Sequence, residues 1–281
     1  MTSTPRCRLL TLAYGGEPVR TQALYCAWSA LAWADGVPLS VHVYTDEPAA
    51  YAALEGRIAV EPVSLDRIRE WRGPHDFVHR QKTELVRDLA ARFPGDRLLY
   101  VDSDTFFTGP LARAADRIGP GRSVLHVREF PIATHGTSQM KKFRRDMKGV
   151  AFRGAPIDLA CDMWNAGAVG LDPAQLGLLA EWLELIDAVY PRVQRFFVEQ
   201  FAISLLLQRD TTVAAIDDVL FHYWFQKDEY TEALRRALAA LAALPHEAAL
   251  ARLRATPIRL PYRKQGSTLA HRIRRILTGK K

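Results

Sequence analysis

Cysteine is scarce in this chain. Cys7, Cys26 and Cys161 are the three among 281 residues. They are widely spaced and contain no Cys-x-x-Cys pair. That excludes a disulfide framework and a thiolate zinc site, and the three read as reduced core thiols. Long apolar runs are missing too. Arg6 and Arg8 lead only to Leu9-Leu10 before Tyr14-Gly15-Gly16, which is no secretory h-region. The most apolar helix-like run, Ala237 to Leu244, is far too short to span a bilayer. The expected location is cytoplasmic, or at most peripheral at the inner face of the cell membrane. Gly-x-Gly-x-x-Gly and the Walker Gly-Lys-Ser/Thr are absent, which disfavours a dinucleotide dehydrogenase or a P-loop NTPase. His75 and His79 share an i, i+4 spacing without the glutamate of His-Glu-x-x-His, so they read as loop and helix-entry residues. No internal repeat is present.

Acid is absent from one region only. Between Arg252 and Lys281 there are ten Lys or Arg and no Asp or Glu, whereas the preceding 251 residues hold 28 basic and 31 acidic side chains. The formal +7 is therefore a property of the C-terminal tail. Within residues 256–281, Leu269, Ile273, Ile276 and Leu277 fall on one helical face with arginines elsewhere, a pattern that suits an anionic membrane surface. A solvated or frayed tail is the alternative. Nucleic acid is not an expected partner, because the rest of the chain offers no basic face with interleaved aromatics.

What is present is ordinary for a globular protein of this size: 48% hydrophobic and 25% charged residues. Residues 8–13 read as a first strand and 17–34 as a helix stopping at Asp35-Gly36. Residues 39–45 and 58–63 read as strands, and 79–93 as a helix halted by Pro94-Gly95. This alternation predicts a doubly wound α/β sheet, mostly parallel. Residues 123–127 read as a strand, and the basic stretch 135–154 as loop or short helix. Residues 164–172 combine small residues with strand formers, with helices expected over 174–190 and 196–207. One or two helices follow over 228–255, broken at Pro245.

The most informative stretch is Leu98-Leu-Tyr-Val-Asp102-Ser103-Asp104. An apolar run reads as a buried strand, and carboxylates at its carboxyl end lie where α/β sheets bind ligands. Two hard oxygen donors there suit Mg²⁺ or Mn²⁺ carrying a phosphorylated ligand. With 18 aspartates in the chain, an Asp-x-Asp is expected about once by chance. Its placement carries the argument.

In order along the chain stand the N-terminal sheet, Asp102-Ser103-Asp104, Trp164-Asn165-Ala-Gly167, Glu199-Gln200 and His222-Tyr-Trp-Phe-Gln-Lys227. Together these resemble the GT-A glycosyltransferases, most closely the family 8-like group, over roughly residues 6–227. His222 and Lys227 keep the spacing of that group's His-x-Gly-x-x-Lys segment, although Trp224 replaces its glycine. The resemblance implies a GT-A catalytic domain over 1–227 and a helical segment with the basic tail over 228–281. It implies metal ligation by Asp102, Asp104 and His222, with Asp102 also reaching the donor ribose. Lys227 would neutralise the departing diphosphate, and Ala13, Tyr14, Asp46, Lys82 and Ser103 would line the nucleotide. Asn165 and Gly167 would line the sugar subsite, and Glu199-Gln200 would face the donor sugar or the acceptor hydroxyl. Glu199, Lys227 and Asn165 form the expected catalytic set. The residues also allow plainer readings: His222 as a core histidine, Glu199 as a helix N-terminal acid, Asn165 as a buried amide and Lys82 as a surface lysine. Phe221, Tyr223, Trp224 and Phe225 read as core, with Trp224 also able to stack on a sugar.

The expected activity is metal-dependent transfer of a hexose from a nucleotide diphosphate sugar, with UDP favoured, to an acceptor hydroxyl on a glycan or lipid-linked intermediate of surface polysaccharide. Retention of configuration is mildly favoured. The rivals are a sugar-phosphate nucleotidyltransferase and a non-catalytic membrane-associated binding protein. Tyr14-Gly15-Gly16-Glu17-Pro18 lacks the basic phosphate loop that the first rival needs.

Overall fold

A computed structural model describes residues 6–261. The basic segment 268–277 and its expected membrane role lie outside the described residues. The chain begins with β1 (Cys7–Ala13), α1 (Glu17–Ala32), β2 (Leu39–Thr45) and β3 (Ala59–Pro62). It continues through α2 (Leu65–Trp71), α3 (Arg80–Arg92), β4 (Arg97–Val101), β5 (Thr105–Phe107) and α4 (Leu111–Ala115). Next come β6 (Arg122–Pro131), α5 (Ser138–Asp146), a hairpin of β7 (Ala151–Phe152) and β8 (Ala155–Pro156), and β9 (Asp162–Leu171). The last elements are α6 (Leu178–Val193), α7 (Val198–Asp210), β10 (Thr212–Ala215), β11 (Leu220–His222), α8 (Lys227–Ala242) and α9 (His246–Ala255).

Seven strands form one sheet in the order β10-β6-β9-β4-β1-β2-β3. All pairings are parallel except those of β9, which runs antiparallel to both β4 and β6. The α/β, mostly parallel sheet expected from the strand–helix alternation is therefore the one observed. Both faces are covered, so β4 has no polar side: Leu98 and Tyr100 enter one core, Leu99 and Val101 the other. That is why its sequence is a continuous apolar run rather than an alternating one.

Helix starts follow local chemistry. Ser64 Oγ accepts the Arg67 N–H to begin α2, and Thr137 Oγ1 accepts the Met140 N–H to begin α5. The expected helix over 174–190 is split, because Asp172 and Gln175 form a capping box around a short 3₁₀ turn before α6. Helix α1 is buried nearly all round, since α8 and α9 cover the side that the sheet leaves open. Tyr230, Leu234, Leu250 and Leu253 join the core that contains α1. A buried hydrogen bond, Gln22 Nε2 to Thr231 Oγ1 at 2.7 Å, ties α8 to α1. Among the described residues no helix is long and apolar enough to cross a membrane.

Candidate active site

Asp102 follows β4 at the carboxyl edge of the sheet, and three neighbouring elements converge on it. β5 leaves the edge and pairs with β11 so that His222 lies opposite Thr105. This register sets His222 beside Asp104, and the Tyr223 N–H donates to the Asp104 carbonyl at 3.2 Å. β9 arrives from the other side, where the Asp102 N–H donates to the Gly167 carbonyl at 2.8 Å. One ligand atom from each of Asp102, Asp104 and His222 lies within 4.8 Å of the others. His222 Nε2 is 3.4 Å from Asp104 Oδ1 and 3.9 Å from Asp102 Oδ2. Lys227, at the first turn of α8 and half exposed, brings its Nζ to 2.7 Å from Asp104 Oδ2.

Hydrogen bonding fixes the histidine tautomer. Asn165 Nδ2 donates to Glu129 Oε1 at 3.1 Å, and Asn165 Oδ1 accepts the Gly167 N–H at 2.9 Å. A carboxylate can only accept and an amide N–H can only donate, so the orientation of the Asn165 side chain is set twice over. Its Oδ1 lies 3.1 Å from His222 Nδ1. Nδ1 must therefore carry a proton, which leaves Nε2, facing the two aspartates, as the ring nitrogen that would ligate a cation. This is the outer-shell arrangement of a metal-binding imidazole. Gly167 is required for close approach: a Cβ there would stand 2.3 Å from His222 Nδ1 and 2.4 Å from Cε1. The site fits a hard divalent cation in donor type and in tautomer.

Burial and charge set the ionisation. Burial opposes the negative charge on Asp104, but His222 and Lys227 outweigh it and hold the pKa well below the usual carboxylate range. Lys82 is buried. Its Nζ donates to the Ala166 carbonyl at 2.8 Å, and lies 3.3 Å from Glu199 Oε2 and 3.4 Å from Asp102 Oδ1. Glu199 is enclosed at the first turn of α7, and burial pushes its pKa up to about 7 against the pull of Lys82. Its other oxygen, Oε1, is buried with no hydrogen-bond partner among the described residues. Tyr100 donates its hydroxyl to Asp102 Oδ1 at 2.6 Å, and burial keeps that phenol protonated.

The expected residues fall into two groups. Asp102, Asp104, His222, Lys227, Asn165, Gly167, Lys82 and Glu199 form the connected cluster just described. Gln200 joins it through Glu129 Oε2 at 2.9 Å, and Ser103 is half-buried between the aspartates. Ala13, Tyr14 and Asp46 lie along the same edge, one and two strands away from β4. The Tyr14 hydroxyl pairs with Gln81 at 3.0 Å, and Asp46 accepts the Gly15 N–H at 3.0 Å. Lys82 is not a surface lysine, and Trp224 is not core, with 59% of its surface exposed.

Two further residues of the site, Glu129 and His126, are not singled out by the sequence. Each lies at a register shift of β6 against β9, one between Leu125 and Val127 and the other between Arg128 and Phe130. At the first shift the extra residues lie on β9. At the second β6 carries the extra residue, Glu129, and a bulge turns such a residue toward a new neighbour. Glu129 thus reaches Asn165 and Gln200, and the His126 ring stands edge-on to His222 at 5.3 Å. The His126 Nε2 lies 3.1 Å from the Leu220 carbonyl, and burial holds its pKa down to about 4. Val-Arg-Glu-Phe carries no sequence signal for a bulge.

No protein-family model matches the chain, and no curated protein does. Among solved structures it is similar to mouse xyloside xylosyltransferase 1 in its apo form, with a TM-score of 0.50 and 14% identity. The match covers 82% of this chain and 93% of that one. This likeness shows the fold alone, a GT-A-like architecture. Separately, Asp102, Asp104 and His222 at the sheet edge form a group that could hold a metal.

Proposed function

We propose that the chain is a metal-dependent glycosyltransferase that moves a hexose from a nucleotide diphosphate sugar to an acceptor hydroxyl. The observation that carries this reading is the convergence of Asp102, Asp104 and a His222 of defined tautomer, with the Lys227 ammonium 2.7 Å from Asp104. A cation on these three side chains would supply Lewis-acid stabilisation of a departing diphosphate. Lys227 adds an ammonium where that charge develops, and its half-exposed position leaves it free to turn from Asp104 toward a phosphate. Ala13, Tyr14, Asp46 and Ser103 would contact the nucleotide, Asn165 and Gly167 the sugar. Tyr14 and Asp46 have hydrogen-bond partners within the protein, which suits them to shaping the nucleotide edge. A UDP donor, a lipid-linked or surface polysaccharide acceptor and membership of the family 8-like group belong to this proposal, as do retention of configuration, the division at residue 227 and the C-terminal basic tail as a membrane anchor.

Under this reading Glu199, enclosed and paired with Lys82, positions groups rather than exchanging protons with bulk water. Incubation with a panel of nucleotide sugars and Mn²⁺ tests the proposal. Sugar release supports it, pyrophosphate release would replace it by nucleotidyl transfer, and no turnover with any donor would remove it.

Two variants refine it. Lys227→Ala is expected to lower kcat by roughly 10²–10³, the range for losing one preorganised donor to developing charge, with KM little changed. A raised KM at unchanged kcat would assign Lys227 to ground-state binding alone. Gly167→Ala is expected to weaken Mn²⁺ binding by roughly 10–100-fold by displacing the His222 ring. Calorimetric titration reads this directly, and unchanged affinity would remove His222 from the ligand set.

A further inference from the structure

The basic stretch 135–154, read from sequence as loop or short helix, contains α5, and α5 does not stand alone. Phe143 on its buried side packs edge-to-face on Phe197 at 5.3 Å and on Phe201 at 5.1 Å, fastening α5 to the start of α7. Lys142 and Arg145 then share one concave wall with Arg192 and Arg195 from the α6–α7 turn. Segments 141–148 and 192–195 hold seven Lys or Arg and a single acid, Asp146, a net +6. Residues 1–251 as a whole carry a net −3, so the charge is strongly segregated on the folded surface.

Most of this charge is left uncompensated. Among the described residues Lys141, Lys148 and Arg192 have no carboxylate partner, while the one acid, Asp146, is shared by Lys142 at 2.5 Å, Arg145 at 3.9 Å and the nearby charge of Arg195. Many arginines elsewhere are paired, among them Arg80 with Asp187 and Glu84, Arg117 with Asp218, and Arg209 with Glu181 and Asp210. A large apolar side chain adjoins the patch. Phe196 follows Arg195 directly and is 65% exposed, and beyond His79, whose ring lies 6.5 Å from it, Val78 is 42% exposed. Like charges gathered without counter-ions, next to an exposed aromatic, disfavour a free surface and suit an anionic interface with an apolar interior. The sequence showed no basic face with aromatics because its two halves are some 45 positions apart.

We infer that the face formed by α5 and the α6–α7 turn docks on an anionic lipid bilayer, its lysines and arginines against headgroups and Phe196 in the interfacial layer. Phe196 lies three residues before Glu199, so the docking face and the candidate active site meet at the start of α7. The inference is independent of the chemistry assigned to that site, because the patch shares no residue with it.

The full-length protein is sedimented with vesicles of phosphatidylcholine, with and without phosphatidylglycerol. Binding to the anionic vesicles alone is expected. The triple variant Lys141→Gln, Arg145→Gln, Arg192→Gln is expected to lower the partition coefficient on the order of 100-fold, at about fivefold per charge lost. Each single substitution, all at exposed positions, should give its own part of that loss. Phe196→Ser is expected to lower it roughly tenfold while leaving affinity for soluble polyphosphate unchanged. Three results would overturn the inference. One is equal binding to both vesicle types. Another is wild-type partition by the triple variant while Arg272→Gln, Arg274→Gln, Arg275→Gln abolishes it, which assigns docking to the tail. The third is a Phe196→Ser variant that partitions as wild type together with complete competition by polyphosphate, which makes the patch a soluble-polyanion site. Donor hydrolysis by the triple variant is a separate reading, so failure here and failure of the transferase proposal are distinguishable.

Discussion

Asp104→Ala is expected to lower metal-dependent turnover on the order of 10³-fold, because it removes one charged ligand and the partner of Lys227 together. Several kcal/mol of charge stabilisation is the usual contribution of a bound cation, and each factor of ten corresponds to about 1.4 kcal/mol. Asp104 is well placed to hold that cation. It is buried, lies 3.4 Å from His222 Nε2 and 2.7 Å from Lys227 Nζ, and those two neighbours keep it ionised throughout the neutral range. Asp104→Asn retains the shape without the charge and should fall between wild type and Asp104→Ala. Donor hydrolysis across a Mn²⁺ titration distinguishes the cases: a loss that excess Mn²⁺ partly restores is a ligand defect. Turnover by Asp104→Ala equal to wild type would end the metal reading altogether.

Lys82→Met is expected to have the largest effect on stability. Lys82 is enclosed against the Ala166 carbonyl, Glu199, Asp102 and the Tyr100 ring. Removing one member of a buried ion pair costs about 3–5 kcal/mol, since the remaining charge is left uncompensated. In a chain of this size that corresponds to a Tm lower by roughly 10 °C. The loss should depend on pH in a defined direction. Burial raises the pKa of Glu199 from 4.5 to about 7 even with Lys82 opposing it. A folded-state pKa above the unfolded one means that the folded protein binds the proton more tightly within that window. Stability therefore falls as pH rises through the window, and the penalty is complete only above the folded-state pKa. Without Lys82 that pKa climbs further, so the variant should lose least at pH 5, with a neutral acid, and most at pH 8. Lys82→Met, Glu199→Gln should recover part of the loss at pH 8. Melting curves of the three proteins at both pH values decide the matter, and a single variant as stable as wild type at pH 8 would show that the pair is not coupled.

Local pattern was enough to determine much of this protein. Apolar runs, Gly and Pro stops and helical spacing placed β1, α1, β2, α3 and β4 within a residue or two. Asp-x-Asp at the end of a doubly buried strand pointed to the ligand-binding edge of the sheet. These features are legible because each is decided by neighbours within a few positions. The apolar character of α1 was visible as well, but its cause was not: it lies between the sheet and helices that begin some two hundred residues later.

Tertiary structure alone decided how the candidate site is held together. The β5–β11 register carries His222 to Asp104 across more than a hundred residues, and two register shifts between β6 and β9 set His126 and Glu129 toward the site. Glu129 orients Asn165, and Asn165 in turn decides which nitrogen of His222 bears the proton. Lys82 and Glu199 neutralise one another only because α3 and α7 cover the same face of the sheet. The basic patch likewise needs α5 and the α6–α7 turn to meet. Each of these depends on pairing and packing between distant segments, where a one-residue slip in register would send the side chain to the opposite face.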